Sequence, residues 1–323
     1  MPARPGALVL GGTGFVGRHV CEGLGDLGHE VVAAARRPPD TPLAGRFQRL
    51  DLGTQPVRET AAVLAALRPA VVVNAVGSIW GRTDPEMWDA VAAPTLRLLD
   101  ALDLLPEDHR PRLVHLGSVL EYGRVAPGTT MRAAVTARPT SAYGRAKLAA
   151  TEAVLDRART GRLTGMVLRV ANLAGPGSPE VSLLGRVAGR LARPGPDGVA
   201  RIELDPLLAR RDYVDVRDVA DAVIAAATSP LTGELVDLGR GESVPVRALV
   251  DLLVERSGVR AEITERPGTG VRHSTEDWSK VDIRPAARLL NWHPRRTLAA
   301  SVEDFWHEFV QRPHTPDGKR SVL

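Results

Sequence analysis

A chain of 323 residues can bury a large hydrophobic core, and we expect one or two domains. A net charge of +4 without a basic run argues against nucleic acid as a partner and suits an anionic small molecule. No apolar run has membrane-spanning length and no signal peptide is recognisable, so we expect a cytoplasmic protein that does not enter a membrane. The single cysteine, Cys21, excludes an intrachain disulfide, and the scattered histidines lack the spacing of a metal site.

The N-terminal region combines a short apolar run with a glycine-rich turn. Residues 7–10 predict a buried strand, residues 11–17 read Gly-Gly-Thr-Gly-Phe-Val-Gly, and apolar residues then recur at helical spacing over residues 16–24. This order predicts a dinucleotide site, because the free N–H groups of a helix N-terminus bind phosphate. The first glycine would permit a tight turn, the middle one the approach of the pyrophosphate, and the last close helix–strand packing. We assign cofactor contacts to Gly11, Thr13, Gly14, Phe15, Val16 and Gly17.

The residues after the second predicted strand distinguish between the two nicotinamide cofactors. An NAD(H) site usually carries an acidic residue there for the ribose 2′-hydroxyl, whereas an NADP(H) site offers arginine to the 2′-phosphate. Here the strand over 30–35 ends at Ala35 and is followed by Arg36 and Arg37. Two guanidinium groups can pair with a phosphate that no carboxylate repels, so NADP(H) is predicted in preference to NAD(H).

Apolar strand-like runs alternate with helical segments through the first half of the chain. We predict buried strands over 70–73, 113–116 and 166–170, and helices over 59–67, 94–102 and 143–159. This alternation predicts an α/β fold with a doubly wound parallel sheet. Beyond residue 170, Gly- and Pro-rich segments predict a smaller, loop-rich lobe, while a helix over 215–228 and a strand over 235–238 return to the sheet. The expected domains are a dinucleotide-binding domain over 5–170 with about 213–238, a substrate lobe over 171–212 and 239–315, and a tail over 316–323.

Tyr143 and Lys147 lie four residues apart in one of these predicted helices. Residues at this spacing share a helix face, so the ammonium can lie beside the phenol. A neighbouring cation lowers the pKa of a tyrosine, which suits proton exchange with a carbonyl or an alcohol. The chain contains only three tyrosines and three lysines, so chance rarely produces such a pair.

Taken together, these features resemble the extended short-chain dehydrogenase/reductase family, which includes nucleotide-sugar epimerases, dehydratases and reductases. The likeness covers nearly the whole chain and rests on several motifs in the family's order. They are the turn at 11–17, Leu50-Asp51-Leu52, Asn74-Ala75-Val76-Gly77, Ser-Val-Leu-Glu-Tyr-Gly from Ser118, Arg169-Val170-Ala171-Asn172 with Gly175-Pro176-Gly177, the segment 211–220, and Leu290-Asn291-Trp292-His293-Pro294. The resemblance implies a Rossmann-type sheet with a C-terminal substrate-binding lobe, and a homodimer.

The resemblance also implies roles for individual residues. Ser118 would bind the substrate carbonyl, Tyr143 would give the proton, and Lys147 would lower the tyrosine pKa and bind the nicotinamide ribose. A turn-capping serine is the alternative for Ser118, and a salt link between domains is the alternative for Arg211. The remaining assignments are Asp51 and Leu52 at the adenine, Asn74, Ala75, Val76 and Gly77 under the cofactor, Asn172 and Arg211 at the substrate diphosphate, and Trp80 and Leu120 as an apolar wall beside the sugar.

Two departures from the family pattern bear on the activity. Val91 stands where the family has an asparagine that supports the lysine through water, so another group must order that water. Val119 and Leu120 stand where 4,6-dehydratases carry their Asp-Glu pair, and two aliphatic side chains cannot move protons, which argues against dehydration.

Three functions remain open at this point. The first is NADPH-dependent reduction of a keto group, most simply at C4, on a nucleotide-linked keto-deoxysugar, as in the dTDP-4-keto-6-deoxyhexose reductases that complete deoxysugars of glycosylated natural products such as antibiotics. The second is a nucleotide-sugar 4-epimerase with a retained cofactor, which generally carries the acidic residue that this chain lacks. The third is a non-catalytic NADP(H) sensor or scaffold, against which the complete Ser118, Tyr143 and Lys147 set argues.

Overall fold

A seven-stranded parallel sheet forms the centre of the molecule, as the alternating pattern predicts. The computed structural model describes residues 4–39, 45–77, 79–266 and 277–312, so the expected tail over 316–323 lies outside the described residues. The strands are β1 Arg4–Leu10, β2 His29–Ala35, β3 Arg46–Arg49, β4 Val71–Asn74, β5 Arg112–Ser118, β6 Gly165–Val170, β7 Asn172–Ala174, β8 Val199–Leu204, β9 Arg210–Arg211, β10 Tyr213–Asp215, β11 Leu235–Leu238, β12 Val244–Pro245 and β13 Arg260–Glu265. The helices are α1 Phe15–Asp26, α2 Val57–Leu67, α3 Asp84–Asp103, α4 Ala142–Arg159, α5 Leu183–Leu191, α6 Val216–Thr228, α7 Val246–Ser257, α8 Arg284–Leu290 and α9 Leu298–Gln311, with 3-10 turns at Glu107–His109 and Val119–Tyr122.

The sheet has the strand order β11-β6-β5-β4-β1-β2-β3 and is covered by helices on both faces. Successive side chains of a strand point to opposite faces, and β1 divides accordingly. Val9 joins an apolar cluster with α1 and α6, whereas Leu8 joins a second cluster with α2, α3 and α4. The doubly wound arrangement is therefore confirmed.

The order of the strands creates a crevice beside β1. The chain leaves β1 towards β2 on one side, while β4 pairs with β1 on the other, with Leu10 opposite Asn74. Crevices of this kind, at the carboxyl ends of the strands, are where open α/β sheets bind ligands. The glycine turn after β1 and the loop after β4 meet there, since Ala75 N donates to Leu10 O at 3.0 Å.

Helix α3 begins ten residues earlier than the sequence pattern predicts. The pattern predicts a helix over 94–102, but Pro94 lies inside α3. The helix instead begins after Thr83, where a capping box is formed with Glu86 and Thr83 N donates to Glu86 Oε2 at 2.8 Å. The segment 84–93 is thus helical and carries Val91 towards the site.

A third apolar cluster lies among α5, β8, α7 and α9, away from the central sheet. Strand β8 pairs with β13, and β10 pairs with β7, in separate two-stranded sheets. Helix α6 and strand β11 return to the central sheet at its edge, where β11 pairs with β6. The boundaries drawn between the two lobes remain a prediction.

Candidate active site

The glycine turn after β1 has the shape that a pyrophosphate requires. Gly11 has φ +76°, which a residue with a side chain rarely adopts, and a Cβ on Gly17 would lie 2.1 Å from Gly11 O. The last glycine therefore allows α1 to pack on the turn itself. Gly14 is the exposed N-cap of α1, no side chain caps this helix, and its first turn has no acidic residue. The first N–H groups of α1 are accordingly available to an anion.

The predicted cofactor residues at the ends of β2 and β3 divide into exposed and buried groups. Arg36 and Arg37, after β2, are both exposed. Asp51 is half-buried, and its Oδ1 accepts a hydrogen bond from Gly53 N at 2.9 Å. Leu52 is 5% exposed and packs in the second apolar cluster, which makes it a core residue beside the site. Thr13, Phe15 and Val16 are half-buried on the glycine turn.

The loop after β4 is held from beneath by Asn74. Its fully buried side chain donates to Thr95 Oγ1 at 3.0 Å, and its Oδ1 accepts from Val76 N at 3.2 Å. Asn74 thus shapes the loop, while Ala75, Val76 and Gly77 are half-buried or exposed towards the crevice. A Cβ on Gly77 would lie 3.2 Å from Lys147 Nζ, which shows that this loop and α4 meet at the lysine.

Tyr143 and Lys147 lie in the first turns of α4, which begins at Ser141 because the serine Oγ accepts from Gly144 N at 3.1 Å. Lys147 Nζ is 6.0 Å from the centroid of the Tyr143 ring and donates to Leu116 O at 2.9 Å and Val76 O at 3.3 Å. A Cβ on Gly77 would also lie 3.6 Å from Val91 Cγ1, so an aliphatic side chain stands beside the ammonium. Two backbone carbonyls thus hold the lysine.

The pKa of Tyr143 moves in the opposite direction to the sequence expectation. Burial raises it, and the carboxylate of Glu121 raises it further. The expectation considered only the nearby cation, but the low dielectric around the phenol disfavours its anion more strongly. Burial also lowers the pKa of Lys147 to about 8, although Glu121 opposes this change. At neutral pH the tyrosine is therefore a protonated donor.

Ser118 ends β5 and caps the 3-10 turn that follows it. Its Oγ accepts from Leu120 N at 3.2 Å, so the turn-capping role is present in the structure. A hydroxyl that accepts this bond can still donate its own proton to a ligand. A Cβ on Gly144 would lie 2.4 Å from Leu120 O, so the start of α4 packs directly against the Ser118 turn. The three predicted catalytic residues are accordingly gathered at one end of β5 and α4.

A buried charged pair behind this site was missed by the sequence analysis. Arg169 Nε donates to Glu121 Oε2 at 2.6 Å, and the two side chains are 4% and 0% exposed. Part of the signal was available, because Arg169 interrupts the apolar run over 166–170 that predicts a buried strand. Their position in a buried layer follows from the register of β5 and β6, in which Gly117 lies opposite Arg169.

The predicted substrate residues lie on different elements. Asn172 Nδ2 donates to Asp212 O at 3.3 Å. Arg211 Nη2 donates to Asp277 Oδ2 at 2.8 Å, an ion pair within the expected substrate lobe, so the predicted salt link between domains stays a prediction. Trp80 is 42% exposed, and Leu120 is half-buried on the Ser118 turn.

Arg211 also lines a cavity of about 720 Å³ between α5 and β8. The arginines around it are Arg186, Arg190, Arg193, Arg211 and Arg266, and the acids are Glu180, Glu203, Asp205 and Asp277. Arg186 and Arg190 of α5, and Arg193 just after its end, follow helical spacing, which sequence analysis could have detected. Within the described residues the guanidinium groups of these three arginines form no hydrogen bond or ion pair, so they present positive charge to the cavity.

Within the described residues, no helix is long and apolar enough to cross a membrane. Over the same ranges, no group of three or more His, Cys, Asp and Glu side chains could hold a metal ion. The homodimer and the cytoplasmic location remain predictions.

The profile of the NAD dependent epimerase/dehydratase family matches residues 7–239, which include the glycine turn, Ser118, Tyr143 and Lys147. The chain belongs to this family. The expectation of an oxidoreductase enzyme is therefore confirmed, and the family's description supports a nicotinamide cofactor.

Individual relatives agree with this assignment. A dTDP-6-deoxy-L-talose 4-dehydrogenase (NAD(P)(+)) from Kitasatospora kifunensis is 42% identical over 306 residues, covering 94% of this chain and 95% of that protein. A GDP-6-deoxy-D-mannose reductase from Pseudomonas aeruginosa is 25% identical and covers 89% of this chain and 97% of that protein. The structure of a UDP-glucose 4-epimerase from Thermotoga maritima with UDP-glucose has a TM-score of 0.83 at 22% identity, covering 94% of this chain and 98% of that one. This last likeness establishes the fold.

Proposed function

We propose that this enzyme catalyses NADPH-dependent reduction of the C4 keto group of a dTDP-linked 4-keto-6-deoxyhexose. The observation that carries the proposal is the 42% identical relative, whose name describes oxidation at C4 of dTDP-6-deoxy-L-talose. The reverse of that oxidation is reduction of a 4-keto sugar. The same residues serve both directions, because a catalyst lowers one barrier for the forward and the reverse reaction.

The residues at the end of β5 and the start of α4 have the properties that this reduction requires. When bound, the nicotinamide supplies the hydride. Ser118 donates a hydrogen bond to the substrate carbonyl oxygen and holds it in place. Tyr143 is protonated because burial raises its pKa, so its hydroxyl can give a proton to the oxygen as negative charge develops. Lys147, whose pKa is lowered to about 8, can return a proton to this end of the site near neutral pH.

The choice of NADP(H) rests on the residues after β2. Both Arg36 and Arg37 are exposed, and Ala35 stands where a 2′-hydroxyl-binding acid would be expected. Guanidinium groups form strong charge-assisted hydrogen bonds with phosphate. The relative from K. kifunensis is named for either cofactor, and we propose a preference for NADP(H) in this chain with residual use of NAD(H).

The cavity between α5 and β8 is proposed to hold the nucleoside diphosphate part of the substrate. Its arginines provide positive charge, and Arg211 can exchange its bond to Asp277 for one to phosphate. Val119 and Leu120 lack the proton-transfer groups of a dehydratase, which supports reduction over dehydration. A 4-epimerase with a retained cofactor is the second candidate, since UDP-glucose 4-epimerases of about 26% identity are also relatives.

The first experiment is a titration of the purified enzyme with NADPH and with NADH, followed by addition of dTDP-4-keto-6-deoxyglucose. We expect tighter binding of NADPH and its stoichiometric oxidation, measured as a loss of absorbance at the nicotinamide band. Binding without net oxidation, together with formation of a C4 epimer from a nucleotide hexose, would replace the reductase by the epimerase. Failure to bind either cofactor would overturn the proposed cofactor site.

A further inference from the structure

A row of buried charged and polar groups runs behind the proposed catalytic residues. Glu121 Oε1 accepts from Thr151 Oγ1 of α4 at 3.0 Å, while its Oε2 accepts from Arg169 Nε of β6 at 2.6 Å. The Arg169 guanidinium lies 4.6 Å from the Tyr122 ring centroid, and Tyr122 OH donates to Asp237 Oδ2 of β11 at 2.8 Å. All five side chains are 4% exposed or less. The row therefore connects the 3-10 turn after β5 with helix α4 and strands β6 and β11, almost entirely shielded from solvent.

The carboxylate of Glu121 also joins this row to the Ser118 turn. Ser118 N donates to Glu121 Oε1 at 2.8 Å, and the same oxygen accepts from Thr151. A Cβ on Gly117 would lie 2.6 Å from Glu121 Oε1, so the glycine before Ser118 leaves the space that the carboxylate occupies. Glu121 thus fixes the backbone of Ser118 and, with it, the position of the Ser118 hydroxyl.

We propose that Glu121 is a positioning residue for the reaction, with a buried carboxylate that orients the Ser118 turn and acts electrostatically on Tyr143 and Lys147. The kinetic part of this inference rests on the proposed reductase function. The part that concerns Lys147 does not, because it can be measured without cofactor or substrate.

The charges around Glu121 determine the direction of its effect. Its negative charge raises the pKa of Lys147 and of Tyr143, in each case after the larger effect of burial. From β6, Arg169 forms the direct pair with Glu121. The other titratable groups facing the row are His115 of β5, whose pKa is held well below its ordinary value by burial, Tyr122, whose pKa burial raises, and Asp237 of β11, whose pKa burial raises to about 6. His115 is therefore neutral, and Glu121 is the carboxylate whose charge raises the pKa of Lys147.

A buried ion pair is weak evidence for stability, because desolvation of both charges offsets much of their attraction. A purely structural Glu121 would change the free energy of unfolding when replaced and would leave proton affinities in the site unchanged. A positioning Glu121 changes the pKa of Lys147. This difference decides between the two roles.

The test is ¹³C NMR of the lysine ε-carbons in the cofactor-free protein as a function of pH. Three lysines give three resonances, and Lys280→Arg with Lys147→Met assigns them. In Glu121→Gln the amide oxygen can still accept from Ser118 N while the charge is gone. We expect the pKa of Lys147 to fall by about one unit relative to the wild type, since loss of a nearby opposite charge disfavours the ammonium.

Two further variants keep the test decisive. Glu121→Gln/Arg169→Gln removes both charges and is measured in the same way if the single variant does not fold. Tyr122→Phe removes a buried hydrogen bond of the row without removing the Glu121 charge, so it controls for loss of stability and should leave the Lys147 pKa in place. An unchanged Lys147 pKa in the folded Gln variants would overturn the inference.

The kinetic measurement is the pH profile of kcat/KM for ketosugar reduction. We expect its alkaline limb to move to lower pH by about one unit in Glu121→Gln, because the phenol of Tyr143 loses the anion that keeps it protonated. If the wild type reduces no ketosugar, the proposed function fails and the NMR measurement still decides the role of Glu121. A loss of kcat at every pH without displacement of the profile would also overturn the electrostatic role.

Discussion

Charged groups are held differently at the reactive end of the site and in the cavity between α5 and β8. Glu121, Arg169 and Lys147 are buried and satisfied by one another or by backbone carbonyls. Arg186, Arg190 and Arg193 line an open cavity, and within the described ranges their guanidinium groups make no hydrogen bond. The first region therefore holds its side chains in a fixed geometry and changes the proton affinity of its ionisable groups. The second attracts an anion, and the side chains on the surface of the cavity decide how that anion is bound.

The largest expected effect tests whether the buried region carries the chemistry. Tyr143→Phe should lower kcat by roughly a hundredfold to ten-thousandfold, the usual range for loss of a general acid. Affinity for NADPH, measured by fluorescence titration, should change little. Ketosugar reduction at the wild-type rate by this variant would show that Tyr143 takes no part in the mechanism. The contrast drawn between the two regions would then also fail.

The second prediction separates function from stability in the buried region. Lys147→Met should abolish most activity and yet raise the free energy of unfolding by about 3 kcal/mol at pH 7, because the lysine pKa is lowered from 10.5 to about 8 by burial. The burial penalty is fully present below pH 8 and disappears as pH rises through 10.5, where the unfolded lysine also loses its proton. Denaturant unfolding at pH 7 and at pH 10.5 should therefore show a smaller advantage at the higher pH. An equal advantage at both pH values would mean that folding does not lower the pKa of Lys147.

The third prediction concerns the cavity. Arg211→Gln should weaken binding of the substrate's nucleoside diphosphate about tenfold, with a smaller salt dependence than in the wild type, because one charge-assisted phosphate contact is lost. Calorimetry with dTDP is the measurement. Arg159→Gln, which changes an exposed arginine near the end of α4, serves as the matched control and should leave affinity unchanged. Equal affinities for both variants would place the diphosphate elsewhere.

The smallest effect is expected at the end of β2. Arg36→Ala and Arg37→Ala should each weaken NADPH binding by at most about tenfold and leave NADH binding nearly unchanged, since only NADPH carries the 2′-phosphate. Comparison of the two variants identifies which guanidinium makes the contact. A parallel loss for both cofactors would show that these arginines act on the shared part of the dinucleotide.

Local patterns were sufficient to predict the parallel sheet, the glycine turn and the Tyr143–Lys147 helix. These features depend on spacing within a few residues, which the sequence displays directly. The start of α3 was wrong because the pattern around Pro94 was given more weight than the Thr83–Glu86 capping box. Proline inside a helix is expensive, but the packed face of α3 supports it here.

Effects that depend on tertiary burial could not be predicted in the same way. The pKa of Tyr143 had the wrong predicted direction because no local pattern reports how deeply a phenol is buried. The Glu121–Arg169 pair joins residues 48 positions apart, and only the register of β5 and β6 brings them together. The α5 arginines were visible as a stripe, but the cavity that they face is formed by β8 and other distant segments.

The single cysteine can report how often the dinucleotide-binding domain opens. Cys21 is fully buried on α1, its Sγ lies 3.9 Å from Gly12 O of the glycine turn, and burial raises the pKa of its thiol to about 12. A thiol reagent can therefore react only when α1 separates from that turn or the domain unfolds. Because no other thiol competes, the rate of alkylation reports this separation directly. A dinucleotide bound at the turn should lower the rate of Cys21 alkylation, and the decrease should be larger the more tightly the dinucleotide binds.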